Sequence, residues 1–249
     1  MTPFDVRLTF HGDLPFFLGS KRDTVDRRLK ERTSVKDIIE ACRVPHTEVD
    51  LILVNDQPVS FSYVVGSEAT IEVIPIDLKA FTSFRGNRLQ VRGIRKFVAD
   101  GHLGKLVRDL RLLGIDILYD RDAEDRQLVE VATDQERALL TRDRPLLMHA
   151  ALRHGYYLRS QNPLRQAIEV LRRFDLVTAL APFSRCLRCN APLESAEKEK
   201  IISQLEPLTK IYYHQFRRCS GCDQVYWPGS HFEKLQKRIE AIRGGLEEP

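Results

Sequence analysis

The chain has 249 residues, 43% hydrophobic and 30% charged, with a formal charge of +4, a composition ordinary for a soluble protein and a length sufficient for two or three compact domains. No apolar run approaches the length of a membrane span and the opening MTPFDVRLTFHG has no signal-peptide layout, so a membrane partner is not expected and a cytoplasmic location is. The charge is uneven: residues 1–80 hold ten basic against thirteen acidic side chains (−3), residues 81–150 thirteen against eleven (+2), and residues 151–249 sixteen against eleven (+5), which assigns any polyanionic partner to the C-terminal part.

The first 80 residues read as a domain of their own. VRLTF (6–10) alternates like a strand, and Ser34 with Asp37 makes an S-x-x-D helix start ahead of Val35, Ile38, Ile39 and Cys42, which fall at i, i+3, i+4 and i+7. LILVN (51–55) and TIEVIPI (70–76) follow as strands around a turn at Asn55–Pro58. A sheet with one helix across a face is the α+β expectation, and Cys42 at that spacing reads as core. The order LILVNDQPV then VGSEATIEVIPID resembles the ubiquitin-like β-grasp fold of the small sulfur carriers over residues 4–77. Those carriers act through a free Gly-Gly terminus. Here Ile76-Asp77-Leu78-Lys79 runs on into more chain, and Gly244-Gly245 belongs to another segment, so the expectation is a docking domain for an unknown protein partner. Residues 81–94 carry Gly86, Gly93 and arginines, and read as a linker.

Residues 95–182 form the central domain. RKFVADG gives a strand ending on Asp100, and HLGKLVRDLRLLG a helix with Leu103, Leu106, Val107, Leu110 and Leu113 on one stripe. IDILYD (115–120) is a second strand, DAEDRQLVEVATDQER a helix, and ALLTRD (138–143) a third strand whose apolar run ends at Asp143. This β-α-β-α-β alternation predicts a parallel sheet with right-handed crossovers, hence an α/β fold with all strand C-termini on one edge. Asp100 and Asp143 would lie there, with Asp125 at the head of the intervening helix. Carboxylates gathered at such an edge suit a divalent cation; singly, each aspartate reads equally as a strand-end or helix cap. Beyond Pro145 come a helix, a short strand and a helix opened by Ser160 or Asn162, with Arg165 and Gln166 on the surface.

Residues 183–238 carry two C-x₂-C pairs, Cys186 with Cys189 and Cys219 with Cys222. Four thiolates in that spacing match a tetrahedral structural zinc site on two knuckles. ESAEKEKII reads as a helical excursion, TKIYYHQF and QVYWPGSHF as strands of a zinc ribbon, and residues 239–249 as a tail. Arg185, Arg188, Arg217 and Arg218, with Tyr212, Tyr213, Tyr226 and Trp227, suit either RNA contact or packing of the ribbon. A four-cysteine site has no need of His231.

FVADGHLGKLVRDLRLLGIDILYD, ALLTRDRPLL, RCLRCNAPL and YWPGSHFEKL together resemble the Mut-seven C-terminal RNase domain family, a group of PIN-like nucleases, across about residues 95–238. The resemblance implies a PIN-like sheet flanked by helices, a zinc ribbon, and RNA as substrate. It places Asp100, Asp125 and Asp143 on the family's acidic positions, with Asp122 and Glu124 as alternates for the second. Four acids are usual in such nucleases, and three are placed here. The implied chemistry is hydrolysis of RNA phosphodiesters with Mg²⁺ or Mn²⁺ at the aspartates. Arg142 and Arg144 would clamp phosphate or balance the acidic edge, and Thr141 would assist or pack. Arg188 and Arg217 would meet RNA at the ribbon. The contrasting class is an RNA-binding adaptor that keeps the fold and the zinc without cleaving.

Overall fold

The computed structural model describes residues 2–19, 22–76, 84 and 86–247. The expected linker positions 81–83 and Arg85, the end of the first domain at 77–80, and the last two residues of the expected tail lie outside the described residues.

The N-terminal elements are β1 (Phe4–Phe10), β2 (Thr24–Leu29), β3 (Thr33–Ser34), α1 (Val35–Glu40), β4 (Val49–Val54), β5 (Gln57–Pro58), β6 (Val64–Val65) and β7 (Ala69–Pro75). Five of the strands form one sheet in the order β2-β1-β7-β4-β5, with β1 parallel to β7 and the other neighbours antiparallel. This is the β-grasp arrangement. Alternation drives β1, where Phe4, Val6, Leu8 and Phe10 are buried and the residues between them are not. The Ser34 side chain accepts from the Asp37 N–H and opens α1, which buries Val35, Ile38 and Ile39, with Cys42 in the core beside them. The strand β2 went unrecognised in the sequence because TVDRRL is an edge strand of charged residues, with Arg7 paired to Asp26 across the ladder.

The supposed linker is held down where it is described. Asp50 of β4 is fully buried and its carboxylate accepts from the Gln90 N–H at 2.9 Å, with the Arg88 and Arg92 guanidiniums at 3.3 and 3.4 Å. The Gln90 amide donates to the carbonyls of His46 and Val49, and Phe84 packs on Leu51, Leu53 and Ile74. A carboxylate out of water needs such partners, which is why these residues are not loose.

The central elements are β8 (Lys96–Ala99), α2 (Gly104–Leu112), β9 (Asp116–Tyr119), α3 (Asp125–Asp134), β10 (Ala138–Thr141), α4 (Arg144–Leu147), β11 (Gly155–Tyr157) and α5 (Pro163–Arg173). The strands pair parallel as expected, β8 with β9 and β10 with β11. All five residues of the predicted α2 stripe are buried, and Asn162, one of the two expected caps, accepts from the N–H groups of Leu164 and Arg165 to open α5.

The ribbon comprises β12 (Leu193–Ala196), α6 (Lys198–Ile201), α7 (Pro207–Tyr212), β13 (Phe216–Cys219) and β14 (Val225–Tyr226), with its sheet in the order β12-β13-β14. The first half of TKIYYHQF is therefore helix, not strand: Pro207 occupies the first turn, and the strand begins only at Phe216. The expected tail is the second half of α8 (Phe232–Glu247), whose Ile239 and Ile242 are buried and whose Arg238 makes a two-pronged ion pair with Asp109 of α2 at 3.0 and 2.5 Å. Gly245 lies so close to α5 that a Cβ there would sit 2.3 Å from Ile168 Cδ1, whereas one on Gly244 would meet nothing within 4 Å; the second glycine of the pair serves helix packing.

By compactness the chain divides into two units, Met1–Arg92 with Asp125–Tyr157, and Gly93–Glu124 with Leu158–Pro249. In the first, Glu48 accepts from the Tyr157 N–H at 2.6 Å and the His46 ring reaches the Leu152 carbonyl at 2.8 Å, tying β11 and the residues before it to the β-grasp elements. Replacing Asp50 with alanine removes the acceptor of the buried Gln90 N–H, and is expected to cost about 3 kcal/mol. A lowered urea midpoint would register this; an unchanged midpoint would contradict it.

Candidate acidic edge and cysteine centre

Two of the sequence's aspartates follow paired strands in the second unit. Ala99 is in register with Tyr119 across the parallel β8–β9 ladder, so the next residues, Asp100 and Asp120, leave the sheet side by side at its carboxyl edge. Asp100 opens a 3-10 turn over Gly101–Leu103, yet its side chain makes no capping hydrogen bond to that turn. It stands 3.2 Å from His102 Nδ1. The simplest structural use of a strand-end aspartate is thus not the one Asp100 has. Asp120, which sequence reading passed over, accepts from the Asp122 N–H and is exposed. Its signal was present: IDILYD ends on an acid just as the neighbouring strand does. Asp122 and Glu124 are exposed in the loop that follows.

This edge is tightly built. The Tyr119 hydroxyl donates to the Gly101 carbonyl at 2.7 Å, and a Cβ on Gly101 would lie 2.3 Å from the Arg121 carbonyl oxygen. Only glycine lets the two strand-end loops approach so closely.

Asp125 and Asp143 belong to the first unit. Asp125 is exposed at the head of α3. That helix leads through a short turn into β10 and packs on it; ten residues of helix span ~15 Å and four of strand ~13 Å, so in this antiparallel hairpin the head of α3 lies toward the carboxyl end of β10. Asp143 is there, just past Thr141. It caps α4 by accepting from the Leu146 N–H at 3.1 Å, and its own N–H donates to the buried Thr141 hydroxyl at 2.9 Å. Thr141 therefore packs and orients Asp143 without facing solvent. Each unit carries two aspartates at the carboxyl end of parallel strands.

The flanking arginines differ from each other. Arg144 donates to the Phe17 carbonyl at 3.0 Å and lies 5.3 to 5.6 Å from the ring centres of Phe16, Phe17 and Tyr157; its guanidinium is engaged in packing. Arg142 is half-buried with its guanidinium 5.9 Å from the Tyr157 ring centre. Gln166, expected on the surface, is buried and donates to the Ser160 carbonyl.

The cysteine centre is fully assembled. Their four sulfurs lie within 4.8 Å of one another, with Cys189 Sγ 3.3 Å from Cys219 Sγ and Cys186 Sγ 3.7 Å from Cys222 Sγ. A tetrahedral zinc–thiolate site with bonds of ~2.3 Å has sulfurs ~3.8 Å apart, so the set fits such an ion. The N–H groups of Cys189, Gly221 and Cys222 point at sulfur, as knuckle turns require. The Tyr226 hydroxyl is 3.1 Å from Cys186 Sγ. Burial pushes the Cys186 thiol up, but this hydrogen bond and those from the Cys189 and Arg188 backbone outweigh it and bring the pKa down to about 6. Burial dominates at Cys189, whose thiol is pushed up to about 12.

Residues 95–239 match the Mut7-C RNAse domain family, and residues 4–80 the Mut7-C ubiquitin family. The first match alone covers more than half of the chain. The chain belongs to the Mut7-C RNAse domain family. A Pyrococcus furiosus protein described as "putative molybdopterin converting factor, subunit 1" is 22% identical, with 29% of this chain and 97% of that one covered, at a TM-score of 0.25; a likeness that slight bears on no further point. No curated protein matches the chain. Among the described residues, no helix is long and apolar enough to cross a membrane.

In this Mut7-C chain the ribbon's arginines and aromatics divide by use. Arg185 donates to the carbonyls of Gly114 and Asn190 and pairs with Asp116 at 3.3 Å, Arg218 pairs with Asp223, and one nitrogen of the exposed Arg217 donates to the Phe183 carbonyl. Tyr226 supports Cys186. Arg188 and Tyr212 are left exposed, the latter by 70%. Changing Tyr226 to phenylalanine keeps the ring and removes the hydroxyl from Cys186, and zinc affinity is expected to fall about tenfold. Chelator competition would measure it; equal affinity would assign the hydroxyl to packing alone.

Proposed function

We propose that this chain is a divalent-metal-dependent ribonuclease, with Asp100 and Asp120 of one unit and Asp125 and Asp143 of the other as metal-binding acids, and the cysteine set as a structural zinc site. The observation that carries the reading is the side-by-side exit of Asp100 and Asp120 from a parallel ladder, with the Asp100 carboxylate not used as a cap. Membership of an RNAse domain family supplies the reaction class.

The acids suit Mg²⁺ or Mn²⁺, oxygen-binding cations that keep several waters and need few protein carboxylates. When bound, such a cation would supply charge neutralisation at the phosphate and a more acidic water. The protein's part is placement. Tyr119 and Gly101 hold the two strand-end loops together, and Thr141 orients Asp143 through its backbone. Arg142 is the better placed of the two flanking cations to meet a phosphate, since Arg144 is taken up by aromatic packing. At the ribbon, Arg188 and Tyr212 offer an exposed charge and an exposed ring of the kind that holds a single strand by phosphate contact and stacking. The β-grasp elements would dock a protein partner.

Full-length protein incubated with labelled RNA and Mn²⁺ is expected to cleave it, and Asp100→Asn, Asp120→Asn and Asp143→Asn to slow cleavage by at least about 100-fold each, as several kcal/mol of charge stabilisation implies. Binding without cleavage by the wild type would overturn the assignment in favour of an RNA-binding adaptor, and cleavage unchanged in these variants would remove these acids from the site.

A further inference from the structure

Arg111 of α2 is a charged residue only 4% exposed, and neither the acidic edge nor the cysteine set includes it. One side of its guanidinium donates through Nε and Nη2 to the Ile117 carbonyl at 3.3 and 3.1 Å; the other donates through Nη1 to the carbonyls of Leu187 and Arg188 at 3.3 and 2.8 Å. Leu187 and Arg188 are the two residues inside the first C-x₂-C knuckle. Ile117 sits in the middle of β9, three residues before Asp120.

The other half of the same residue is held from the same knuckle. The Ile117 N–H donates to Asn190 Oδ1 at 3.2 Å, and Asn190 Nδ2 donates to Asp116 at 2.9 Å. Strand residues alternate the side to which their backbone groups point, and Ile117 turns both of its groups to the knuckle and α2. The role that another strand would play at this edge is played by one arginine and one asparagine. The charge suits the place as well. Four thiolates around a dication leave two negative charges, and although burial draws the Arg111 pKa down, the sulfurs of Cys186 and Cys189 work to raise it.

We propose that Arg111 is a positioning residue shared by the cysteine centre and the acidic edge, so that ordering of the first knuckle and seating of β9, with Asp120 at its end, are one event. The proposal rests on the zinc reading of the cysteines. An ordered knuckle presents the Leu187 and Arg188 carbonyls at the spacing the guanidinium needs, and the guanidinium then has one orientation in which it also meets Ile117. A disordered knuckle leaves a buried cation short of two acceptors and the outer edge of β9 without its asparagine.

The test uses the full-length zinc-loaded protein and two readouts that do not depend on activity. On removal of zinc by a chelator, amide exchange at residues 116–120 is expected to speed up at least about tenfold, while residues 6–10 and 71–75 of the β-grasp sheet hold their protection. Arg111→Met, with all four cysteines intact, is expected to weaken zinc binding by about 10- to 100-fold, the usual effect of losing an outer hydrogen-bonding partner. Asn190→Ala approaches the same link from the knuckle and should move both readouts in the same direction should the arginine variant fold poorly. Arg111→Lys keeps the charge but not the fork, and is expected to stay defective. Unchanged exchange at 116–120 without zinc, unchanged zinc affinity in both variants, or full recovery by lysine would each overturn the coupling while zinc still binds. A wild type that takes up no zinc would instead remove the zinc reading itself.

Discussion

The register of the β8–β9 ladder is the constraint behind the acidic edge. A parallel pair carries its strand ends to one side, and a shift of one residue would turn every side chain of a strand to the opposite face. Four buried residues, Phe97, Val98, Ala99 and Ile117, hold that register from within. Outside the ladder, Ile117 is held by polar groups that leave it one position only. The placement of Asp100 and Asp120 is thus a product of packing on the inner side of the strand and hydrogen bonding on the outer.

Buried charge recurs as an organising device. Asp50 gathers the residues after the β-grasp sheet, Arg111 gathers the knuckle, and Asp109 anchors the C-terminal helix through Arg238. None of these ions is valuable for its own stability, since taking a charge from water costs more than one contact returns. Asp50 and Arg111 each meet groups from three residues, and Asp109 meets both prongs of one guanidinium. Such groups select one arrangement among several that apolar packing alone would tolerate.

Strong alternation and helical stripes made β1, β4, β7, α1, α2 and the strands ending at Ala99 and Thr141 legible in the sequence, and paired cysteine spacing did the same for the metal-type centre. What was not legible depended on partners distant in the chain. The edge strand β2 carries charges because its outer edge pairs with no strand among the described residues. The helix α7 is hidden in a stretch with two tyrosines that reads as strand, and Gly245 near the end looks like part of a break when its use is close approach to Ile168. The sequence leaves Arg144 between phosphate contact and charge balance and Tyr226 between stacking and packing, and the fold sets one against three aromatic rings and the other against a sulfur. Asp120 could have been found, because it ends its strand as Asp100 does.

The compact units do not follow the boundary between the two family matches. The β-grasp residues form one body with Asp125–Tyr157, through contacts such as Glu48 with Tyr157, Arg144 with Phe17, and His46 with the Leu152 carbonyl. The ubiquitin-like segment is therefore not a detachable tag preceding a self-sufficient nuclease. A shortened chain beginning at residue 93 would keep Asp125 and Asp143 but lose Phe16, Phe17 and Glu48, exposing Tyr157 to water. Any other front segment joined here would have to bring matching aromatic and acidic contacts with it, as Phe16, Phe17 and Glu48 now do.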